Sequence, residues 1–463
     1  MIGTWSLSQL AELLQGQLQT TVDTPAAAKA EEDNSVTGIS TDTRTIKPGD
    51  LYVPLSGEHF NGHDFIVDAA AKGAVAALAD QVQENAPIAL INVPDCLQAL
   101  GVLAGFNRQQ FTGPVVAVTG SAGKTSVKQL MASVLGQTFN TWMTKGNLNN
   151  HIGVPLTLLS LTAQHEAAVI ELGASGAGEI AYTAQWVKPR VGIITNAAEA
   201  HIEGFGSLAG VVQTKGELLD YIQPGGTAVL NADDEFYSHW KARADGINQL
   251  SFGLSADADI RAENIRPALQ GSQFDLLYNG QQFAVSLPLP GTHNIRNALA
   301  VAAAAFALNM PAENIVAGLN SAQAVEGRLQ WIDGSNGQQI LNDAYNANPA
   351  SVEAAVDVLK QADNSWLVLG DMAELGEDAA GIHARCGRYA KQQGIKHLLV
   401  TGELSRNTLD AFGEGARWFN DKASLTEYLK QHTGKQDVIL VKGSRSAGME
   451  EVVHGLQEIT EEN

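Results

Sequence analysis

The chain has 463 residues, 44% of them hydrophobic, a length that corresponds to about three domains of roughly 100–200 residues each. Its formal net charge of −21 argues against a nucleic acid or an anionic membrane as partner, because both are bound through clusters of Lys and Arg. Cys96 and Cys386 are far apart and form no C-x-x-C motif, which indicates a reducing cytoplasm and neither a zinc site nor a disulfide framework. The N-terminus lacks a signal-peptide pattern, and the longest apolar run, residues 298–308, is too short for a membrane span.

Residues 1–110 are predicted to form a first, smaller α/β domain. The pattern SLSQLAELLQG is typical of an amphipathic helix, and the polar, Ala-rich stretch near residues 24–35 is typical of a loop. In GISTDTRTIKPGDLYVPLSG, a Pro-Gly-Asp turn separates two β-like segments, and a loop and a helix follow. His59 and His63 lie four residues apart in that loop, but no third ligand is nearby and the Asn-Gly pair between them breaks any helix. We interpret them as loop histidines rather than as a metal pair.

Residues 111–322 are predicted to form a central domain, which begins with the linker-like sequence QQFTGP. Short apolar strands, VVAVTG, AAVIELG, VGIITN and TAVLN, alternate there with helical patterns, which indicates a mostly parallel sheet with helices on both faces. Residues 249–290 contain shorter alternating strands and an Asn279-Gly280 turn, so we expect an antiparallel appendage to that sheet. The helical pattern HNIRNALAVAAAAFAL closes the domain.

Residues 323–463 are predicted to form a third, Rossmann-like domain with the strands ILNDAY, SWLVLGD, HLLVTG and VILVKG. The predicted fold class is therefore α/β with three domains around a central, mostly parallel sheet. Polar islands follow several strands of the third domain: NDAYNANPAS, LGDMAELGE and KGSRSAGME, with Arg328 shortly before them. Arg328 and Lys442 are suited to neutralise phosphates or carboxylates.

The stretch VVAVTGSAGKTS at residues 115–126 combines a buried strand, a glycine-containing turn, GK[ST] and a helical pattern. This arrangement is typical of a phosphate-binding loop, in which Lys124 reaches the terminal phosphates and the Thr125 hydroxyl ligates Mg²⁺. The usual spacing would place a glycine at Val118, and this chain has it at Gly120, which gives a shorter loop. An ordinary strand-to-helix turn is the alternative, and the strand and helix on either side favour the phosphate loop.

Three further residues are predicted to matter because of their positions relative to the strands. Glu171 ends a strand and His201 follows another, so both are expected at the edge where open α/β sheets bind ligands. Glu171 there is a natural Mg²⁺ ligand, although a surface glutamate is the alternative. A single histidine is usually structural, and its position at this edge makes a ligand role equally plausible. Lys215 lies on a predicted helix and, judged alone, is expected to be a solvated lysine.

Three asparagines are candidates for adenine recognition, because carboxamides both donate and accept hydrogen bonds. Asn231 ends the strand TAVLN, and Asn294 and Asn297 share one face of the helix that closes the central domain. Helix capping is the alternative for the pair, since Asn294 lies near the start of that helix.

Across nearly its whole length the sequence resembles the Mur ligases, the ATP-dependent amide-forming enzymes of peptidoglycan assembly. The motifs that carry the resemblance are TGSAGKTS, KGNLNNHIGVP, ELGASGAGEI, ITNAAEAHIEGFGS, TKGE, LNADD and GTHNIRNALA. DAYNANPAS and LGDMAELG are similar to the members that add D-alanyl-D-alanine, and the DNPR motif of the diaminopimelate-adding members is missing. STDTRTIKPGDLYVPLSG resembles the UDP-binding first domain of these members.

The resemblance implies a role for each matching residue. ATP phosphates would be held by the loop Gly120, Ser121, Ala122, Gly123, Lys124, Thr125 and Ser126; adenine by Asn231, Asn294 and Asn297; and ATP from the third domain by Arg328 and Asp343. One Mg²⁺ would bind Thr125 and Glu171, a second would bind Glu171 and His201, and Lys215 would be carbamylated. Substrate binding would fall to Ser40, Asp42, Arg44, Asn147, Asn149, Asn150, Tyr345, Asn346, Asn348, Lys442 and Arg445.

The chain departs from the family pattern at two places. Ser175 and Gly176 stand where Asn-His is common, and Thr214 replaces a common Ala before the lysine. Side-chain contacts that other members make at the first place are therefore not expected here.

The resemblance implies a cytoplasmic enzyme, expected to be monomeric, that joins D-alanyl-D-alanine to UDP-N-acetylmuramoyl-tripeptide through an acyl phosphate, with Lys124, Glu171, His201 and Lys215 as catalytic residues. Two alternatives remain open. A folylpolyglutamate synthase shares the central motifs but lacks this first domain and the NANP segment. A non-catalytic P-loop switch needs neither Lys215 nor a third domain that carries Arg328 and Lys442.

Overall fold

The computed structural model describes residues 1–21, 34–83, 85–198, 202–376 and 378–457. The predicted loop near residues 24–35 therefore lies almost entirely outside the described residues. The chain forms two compact units; the first comprises residues 1–117, 139–174 and 179–189, and the second comprises residues 118–138, 175–178 and 190–463.

The N-terminal part of the first unit contains a five-stranded sheet. The strand order is β2 (Gln17–Gln19), β9 (Ala89–Asn92), β8 (Ala76–Ala79), β5 (Asp50–Tyr52) and β4 (Gly38–Ser40), and all pairs are parallel except β2–β9. The predicted first helix is confirmed, because Ser6 caps it through a reciprocal capping box with Gln9. The strands are β1 Trp5–Ser6, β2 Gln17–Gln19, β3 Ser35–Val36, β4 Gly38–Ser40, β5 Asp50–Tyr52, β6 Ser56–Gly57, β7 Phe60–Asn61, β8 Ala76–Ala79 and β9 Ala89–Asn92; the helices are α1 Leu7–Leu13, α2 Ile66–Ala71, α3 Cys96–Gln110 and a 3₁₀ helix at Gly62–Phe65.

A buried arginine near the end of α3 donates hydrogen bonds to three backbone carbonyls of the first unit. Arg108 is 6% exposed. Its Nε donates to the Val187 carbonyl at 2.8 Å, Nη1 to Phe111 at 3.0 Å and Nη2 to Lys188 at 3.2 Å. Burial lowers the pKa of the guanidinium to about 10, and the three carbonyls compensate for the cost of burying the cation.

We expect Arg108→Leu to lower the free energy of unfolding by about 3 kcal/mol, because three buried carbonyls lose a charged donor. Urea denaturation followed by circular dichroism measures the change. Arg190→Leu is the matched control: its side chain is exposed and makes a 3.3 Å bond to the Pro224 carbonyl, so about 0.5 kcal/mol is expected. Equal losses in the two variants would contradict the anchoring role of Arg108.

The central part of the chain has the strands β10 Val115–Thr119, β11 Thr141–Met143, β12 Ala167–Glu171, β13 Val191–Ile194, β14 Thr227–Asn231, β15 Asn248–Gly253, β16 Ile260–Ala268, β17 Gly271–Tyr278 and β18 Gln281–Leu287. Its helices are α4 Lys124–Leu135, α5 Gly153–Leu159, α6 Glu179–Val187, α7 Ile202–Phe205, α8 Leu208–Gly216, α9 Tyr237–Arg243, α10 Thr292–Ala307 and α11 Ala312–Asn320, with a 3₁₀ helix at Glu217–Tyr221.

Strand β10 is divided between the two units. In the first unit the strand order is β11-β12-β10, and in the second it is β10-β13-β14-β15-β16-β17-β18. Strands β11 and β12 pair in parallel, as do β13 through β16 in succession. Every residue of β10, β12, β13 and β14 is buried, as expected for parallel strands with both faces covered. The predicted mostly parallel arrangement is confirmed.

The expected antiparallel appendage is correct only in part. Strand β15 is parallel to β14, so it belongs to the parallel sheet, and the antiparallel pairs are β16–β17 and β17–β18. A short half-buried strand carries no signal that identifies its partner, which is why the sequence misassigned β15. The Asn279-Gly280 turn is confirmed, since φ is +49° at Asn279 and +75° at Gly280, as a two-residue hairpin turn requires.

The C-terminal part of the second unit contains a six-stranded sheet in the order β19-β20-β24-β21-β22-β23, parallel except for β19–β20. Alternate residues of β21 face two separate cores, one packed by α12 to α14 and the other by α15 and α16. The predicted alternation of strands and helices is confirmed. The elements are β19 Gln330–Asp333, β20 Gln339–Asp343, β21 Asn364–Leu369, β22 His397–Thr401, β23 Ala416–Phe419 and β24 Asp437–Lys442, with α12 Pro349–Leu359, α13 Ala379–Gln392, α14 Arg406–Phe412, α15 Lys422–His432, α16 Glu450–Leu456 and a 3₁₀ helix at Arg445–Ala447.

Among the described residues, no helix is both long and apolar enough to cross a membrane. The α/β fold class with three parallel-dominated sheets agrees with the prediction. The domain boundaries at residues 110 and 322 stay predictions.

Candidate active site

The loop between β10 and α4 is shaped by two glycines with positive φ. Gly120 has φ +149° and Gly123 has φ +84°. A Cβ at Gly123 would lie 2.6 Å from Asn297 Oδ1, and one at Gly120 would collide with Thr195 Oγ1. Larger residues at either position would therefore disrupt the loop even without a ligand.

Two residues after β13 brace this loop, and neither was predicted. The Ser121 amide donates a hydrogen bond to the Asn196 carbonyl at 3.0 Å, and the Ala122 amide donates one to Asn196 Oδ1 at 2.9 Å. Thr195 Oγ1 donates to the Ala122 carbonyl at 2.6 Å. The sequence signal was available, because both residues end the predicted strand VGIITN. Their bracing role requires that β13 lies beside β10, which the sequence does not state.

Lys124 and Thr125, which are predicted to contact phosphate and Mg²⁺, are the first two residues of α4. Helix α4 begins at Lys124, so its N-terminal amides and the positive end of its dipole lie at the loop. The Lys124 ammonium donates to the Gly120 carbonyl at 2.7 Å, and Thr125 Oγ1 accepts a 3.2 Å bond from Arg328 Nη2. The loop thus combines two cations with a helix N-terminus, which fits a nucleotide polyphosphate.

Glu171, in the first unit, is a buried carboxylate at the end of β12. It is 2% exposed, and its Oε1 accepts a 2.9 Å bond from Asn149 Nδ2. The Glu171 amide donates to Thr144 Oγ1 at 3.0 Å. The alternative of a surface glutamate is therefore wrong. A buried carboxylate with oxygen and amide neighbours suits a hard cation such as Mg²⁺, since burying its charge is otherwise costly.

The predicted substrate asparagines near Glu171 differ in what they do. Asn149 is positioned against Glu171, whereas the Oδ1 of Asn150 accepts the amides of Ile152 and Gly153 at the start of α5. Asn147 is exposed and hydrogen-bonds through its carbonyl to the Asn149 amide at 2.7 Å. Their roles in substrate binding stay predictions.

His201 lies outside the described residues, so the structure does not describe its expected metal-binding position. Of the other two expected metal ligands, Thr125 belongs to the second unit and Glu171 to the first.

Lys215 is buried, which corrects the expectation of a solvated lysine. It is 2% exposed near the end of α8, and its Nζ lies 4.9 Å from the centroid of the Phe205 ring. The preceding Thr214, a departure from the family pattern, donates from Oγ1 to the Gly210 carbonyl at 2.9 Å. A buried lysine is rare without a specific role, because its ammonium is strongly hydrated in water.

The three predicted adenine residues are buried and form hydrogen bonds of their own. Asn294 Nδ2 donates to the Pro290 carbonyl at 2.8 Å, and Asn297 Nδ2 donates to Asn294 Oδ1 at 3.2 Å. Gly291 is the N-cap of α10, so the capping alternative for Asn294 is wrong. Asn231 Nδ2 donates to the Thr195 carbonyl at 2.8 Å. Their contact with adenine stays a prediction.

An ion pair joins the ends of two parallel strands in the C-terminal sheet. Asp343 and Lys442 are register partners at the ends of β20 and β24, and Lys442 Nζ lies 2.6 Å from Asp343 Oδ2. The same ammonium donates to the Asn346 carbonyl at 2.8 Å. Asp343 Oδ1 accepts the Leu329 amide at 3.1 Å, next to Arg328. The pair therefore fixes residues 346–348, here called the NAN loop, and the backbone beside Arg328.

Two of the polar islands that follow strands of the C-terminal sheet contact each other through Asp371 and Ser444. The Ser444 amide and hydroxyl both donate to the Asp371 carbonyl, at 3.0 and 2.7 Å. Ser405 Oγ donates to Asp371 Oδ1 at 2.6 Å. Asn348 has a structural function, since it caps α12 through a capping box with Ser351.

The predicted substrate residues of the N-terminal sheet follow β4. Ser40 Oγ donates to the Asp42 carbonyl at 3.0 Å. The side chain and amide of Arg44 donate to the Asp42 carboxylate, which lowers the pKa of Asp42 to about 2. The Arg44 side chain is 85% exposed and therefore accessible to an anionic ligand.

His63 is buried in the 3₁₀ helix at Gly62–Phe65, so the expected loop position is wrong for this residue, and its interpretation as a residue without a metal role stays a prediction. Its Nε2 lies 3.1 Å from Asp80 Oδ1 and its Nδ1 lies 2.9 Å from Asn61 Oδ1. The Cys96 sulfur also lies within 4.8 Å of the possible ligand atoms of His63 and Asp80. Burial raises the pKa of the Cys96 thiol, which disfavours the thiolate that would bind a metal. The Cys96 amide donates a hydrogen bond to Asp80 Oδ2. The His63, Asp80 and Cys96 side chains thus satisfy one another.

His293, the second residue of α10, makes stability depend on pH. Burial lowers its pKa to about 4, against the opposing effect of the Asp343 carboxylate. Because the unfolded value is roughly 6.5, the unfolded chain takes up the proton first as pH falls. The contribution to stability is therefore complete above pH 6.5 and is lost between roughly pH 6.5 and 4.

We expect the wild type to lose roughly 1 to 2 kcal/mol more unfolding free energy than His293→Gln between pH 7.5 and pH 5. Urea denaturation at the two pH values measures the difference. His239→Gln, which changes an exposed histidine, should follow the wild type. A His293→Gln profile that is parallel to the wild type would contradict the lowered pKa of the half-buried His293 imidazole.

Comparison with known proteins agrees with this geometry. Three family models match the chain: "Mur ligase family, catalytic domain" at residues 35–108, "Mur ligase middle domain" at 118–305 and "Mur ligase, glutamate ligase domain" at 327–445. The UDP-N-acetylmuramoyl-tripeptide–D-alanyl-D-alanine ligase of Escherichia coli (strain K12) is 44% identical over 98% of each chain.

Solved structures give the same result. A crystal structure of MurF from Acinetobacter baumannii has a TM-score of 0.90 at 33% identity and covers 98% of each chain. The MurF ligase of Thermotoga maritima in complex with ADP has a TM-score of 0.80 at 25% identity and covers 90% of this chain and 96% of its own. The phosphate loop, the buried Glu171 and Lys215, and the similarity along the whole length lead to one conclusion: the chain belongs to the Mur ligase family.

Proposed function

We propose that the chain is the ATP-dependent ligase that joins D-alanyl-D-alanine to UDP-N-acetylmuramoyl-tripeptide. The observation that carries this proposal is the similarity over 98% of both chains to a curated ligase of that name. The neighbouring structure with bound ADP supports ATP as the nucleotide. The reaction class is amide formation driven by phosphoryl transfer.

The first half-reaction activates the peptide. The terminal carboxylate of the tripeptide attacks the γ-phosphorus of ATP, and ADP leaves as the acyl phosphate forms. Charge on the transferred group develops over its oxygens, so preorganised cations favour the transition state. Lys124 at the loop and Arg328 beside Thr125 are the cations whose contacts suit this task.

The second half-reaction forms the amide. The amine of D-alanyl-D-alanine attacks the acyl carbon, and phosphate leaves from the tetrahedral intermediate. The acyl phosphate must be kept from water until the amine attacks it. Arg445 is suited to bind the dipeptide carboxylate because its side chain is 66% exposed near the ends of β20 and β24. The buried Lys442 instead forms an ion pair with Asp343 and holds the NAN loop.

Two Mg²⁺ ions are proposed as cofactors, with Thr125 and Glu171 as ligands of one, and Glu171 and His201 as ligands of the other. Hydroxyl and carboxylate oxygens are the donors that Mg²⁺ prefers, and bound Mg²⁺ would supply Lewis-acid stabilisation of phosphate charge. The burial of Lys215 supports its proposed carbamylation, since CO₂ converts a buried cation into a carboxylate suited to orient a metal's ligands.

The roles of the three parts are also proposals. Residues 1–110 would bind the UDP moiety, residues 111–322 ATP, and residues 323–463 the incoming dipeptide. We further propose a cytoplasmic monomer.

Phosphate release with ATP, UDP-N-acetylmuramoyl-tripeptide and D-alanyl-D-alanine tests the proposal, with each component omitted in turn. The expected result is release that requires all three. Release with folate and glutamate in place of the two peptides would favour a folylpolyglutamate synthase. ATP binding without release under any condition would favour a nucleotide switch, and either outcome would overturn the ligase proposal.

A further inference from the structure

We propose that Tyr345 is a positioning residue whose ring serves as a shared platform for two arginines, one beside the phosphate loop and one in the last loop of the C-terminal sheet. The inference rests on the proposed function and goes beyond the assignment of Tyr345 to direct substrate contact. The inference concerns how Arg328, which is proposed to contact ATP, and Arg445, which is proposed to contact the dipeptide, are positioned relative to each other.

Two guanidinium groups lie over the Tyr345 ring. The Cζ atom of Arg328 is 4.4 Å from the ring centroid, and the Cζ atom of Arg445 is 5.6 Å from it. Both distances are within the range of about 6 Å in which an aromatic face attracts a cation. The Tyr345 ring is half-buried, so solvent weakens these contacts less than it would at an exposed site.

The backbone of Tyr345 is fixed to the segment that carries Arg328. The Tyr345 amide donates to the Gly327 carbonyl at 3.1 Å. Gly327 has φ +71°, and a Cβ there would lie 3.2 Å from the Tyr345 Cβ. Glycine at position 327 therefore allows the backbone at residue 327 to approach the backbone at Tyr345 closely. The Tyr345 ring is thereby held at a fixed distance from the segment that carries Arg328.

The ring is the main support of the Arg328 guanidinium. Arg328 Nη2 donates to Thr125 Oγ1, whereas Nε is buried and has no hydrogen-bond partner within the described residues. Arg328 takes part in none of the ion pairs recorded for the described part of the chain. An aromatic face holds the cation without neutralising it, so its charge stays available to phosphate oxygens.

Arg445 lies farther from the ring than Arg328 and is held more loosely. Its amide donates to Asn346 Oδ1 at 3.3 Å, and its Nη1 lies 3.2 Å from Glu450 Oε1. The side chain is 66% exposed, so it is accessible to a dipeptide carboxylate. Because Tyr345 contacts both arginines and Asn346 contacts Arg445, a shift of this loop would displace the two cations together.

The test compares Tyr345→Leu, which removes the aromatic face, with Tyr345→Phe, which keeps it and removes only the hydroxyl. Steady-state kinetics give kcat and the KM values for ATP and for D-alanyl-D-alanine. Tyr345→Leu is expected to lower kcat/KM by about 10-fold for each of the two substrates, and Tyr345→Phe to recover this loss to within about 2-fold of the wild type.

Tyr428→Leu is the matched control, because the Tyr428 ring, on α15, lies 4.5 Å from the Cζ atom of Arg417. It should leave both kcat/KM values within about 2-fold of the wild type. Thermal denaturation of all three variants separates loss of positioning from loss of folded protein.

Four results would overturn the platform. Tyr345→Leu could change only one substrate's kcat/KM, or neither; Tyr345→Phe could be as impaired as Tyr345→Leu; or Tyr428→Leu could reproduce the loss. If the wild type itself shows no ligation, the proposed function fails instead. The platform is then tested through the affinity for an ATP analogue, which Tyr345→Leu should weaken about 10-fold and Tyr345→Phe should not. Equal analogue affinity in the wild type and Tyr345→Leu would also overturn it.

Discussion

Lys124→Met is expected to reduce kcat/KM for ligation about 1000-fold while the protein stays folded. The Lys124 ammonium donates to the Gly120 carbonyl at 2.7 Å, so it lies at the loop that is proposed to bind the ATP phosphates. Removing it deletes a preorganised cation from the place where negative charge develops. Thermal stability should change little, because methionine keeps most of the aliphatic volume.

The matched control is Lys241→Met, which changes an exposed lysine that lies 5.5 Å from the Tyr237 ring centroid. It should keep activity within about 2-fold of the wild type. Phosphate release under saturating ATP separates a loss in kcat from a loss in nucleotide affinity. Activity of Lys124→Met within 10-fold of the wild type would remove the lysine from the phosphate-transfer step.

Lys215→Ala is expected to lose about 100-fold in activity and to regain part of it with short carboxylic acids. The free acid would replace the carboxylate that a carbamylated Lys215 supplies. Lys215→Arg is the informative companion, because it keeps a positive charge but forms no stable carbamate. It should be as inactive as Lys215→Ala, whereas a role for the positive charge alone would leave it active.

A measurement independent of activity tests the same modification. The wild type equilibrated with carbon-13 bicarbonate should show one carbamate carbonyl resonance that Lys215→Ala lacks. Its absence from the wild type, or its presence in both proteins, would contradict carbamylation at Lys215.

Sequence patterns predicted most of the fold because its parallel strands are short, apolar and separated by helices. β10, β12, β13 and β14 are buried on both faces, and so they appear as continuous apolar runs. β15 was assigned to the wrong part of the sheet because its pattern resembles that of the hairpin strands after it. Partner choice depends on distant residues, which periodicity does not contain.

The site was predictable where the chemistry is local in sequence. Lys124 and Thr125 are adjacent in the sequence, whereas the Asp343–Lys442 ion pair joins residues distant in the sequence and was not predicted. The brace by Asn196 and the burial of Lys215 were missed, because both depend on how separate segments pack. The two arginines over Tyr345 were missed for the same reason, since residues 328, 345 and 445 meet only in the folded chain.

The central claim is that the phosphate loop transfers the γ-phosphoryl group of ATP to a peptide carboxylate. Oxygen-18 in the terminal carboxylate of UDP-N-acetylmuramoyl-tripeptide tests it directly, with mass spectrometry of the phosphate released during ligation to D-alanyl-D-alanine. One labelled oxygen should appear in each phosphate, because the bond between that oxygen and the acyl carbon breaks when the amine attacks. Phosphate without label, while the amide product still forms, would contradict the claim.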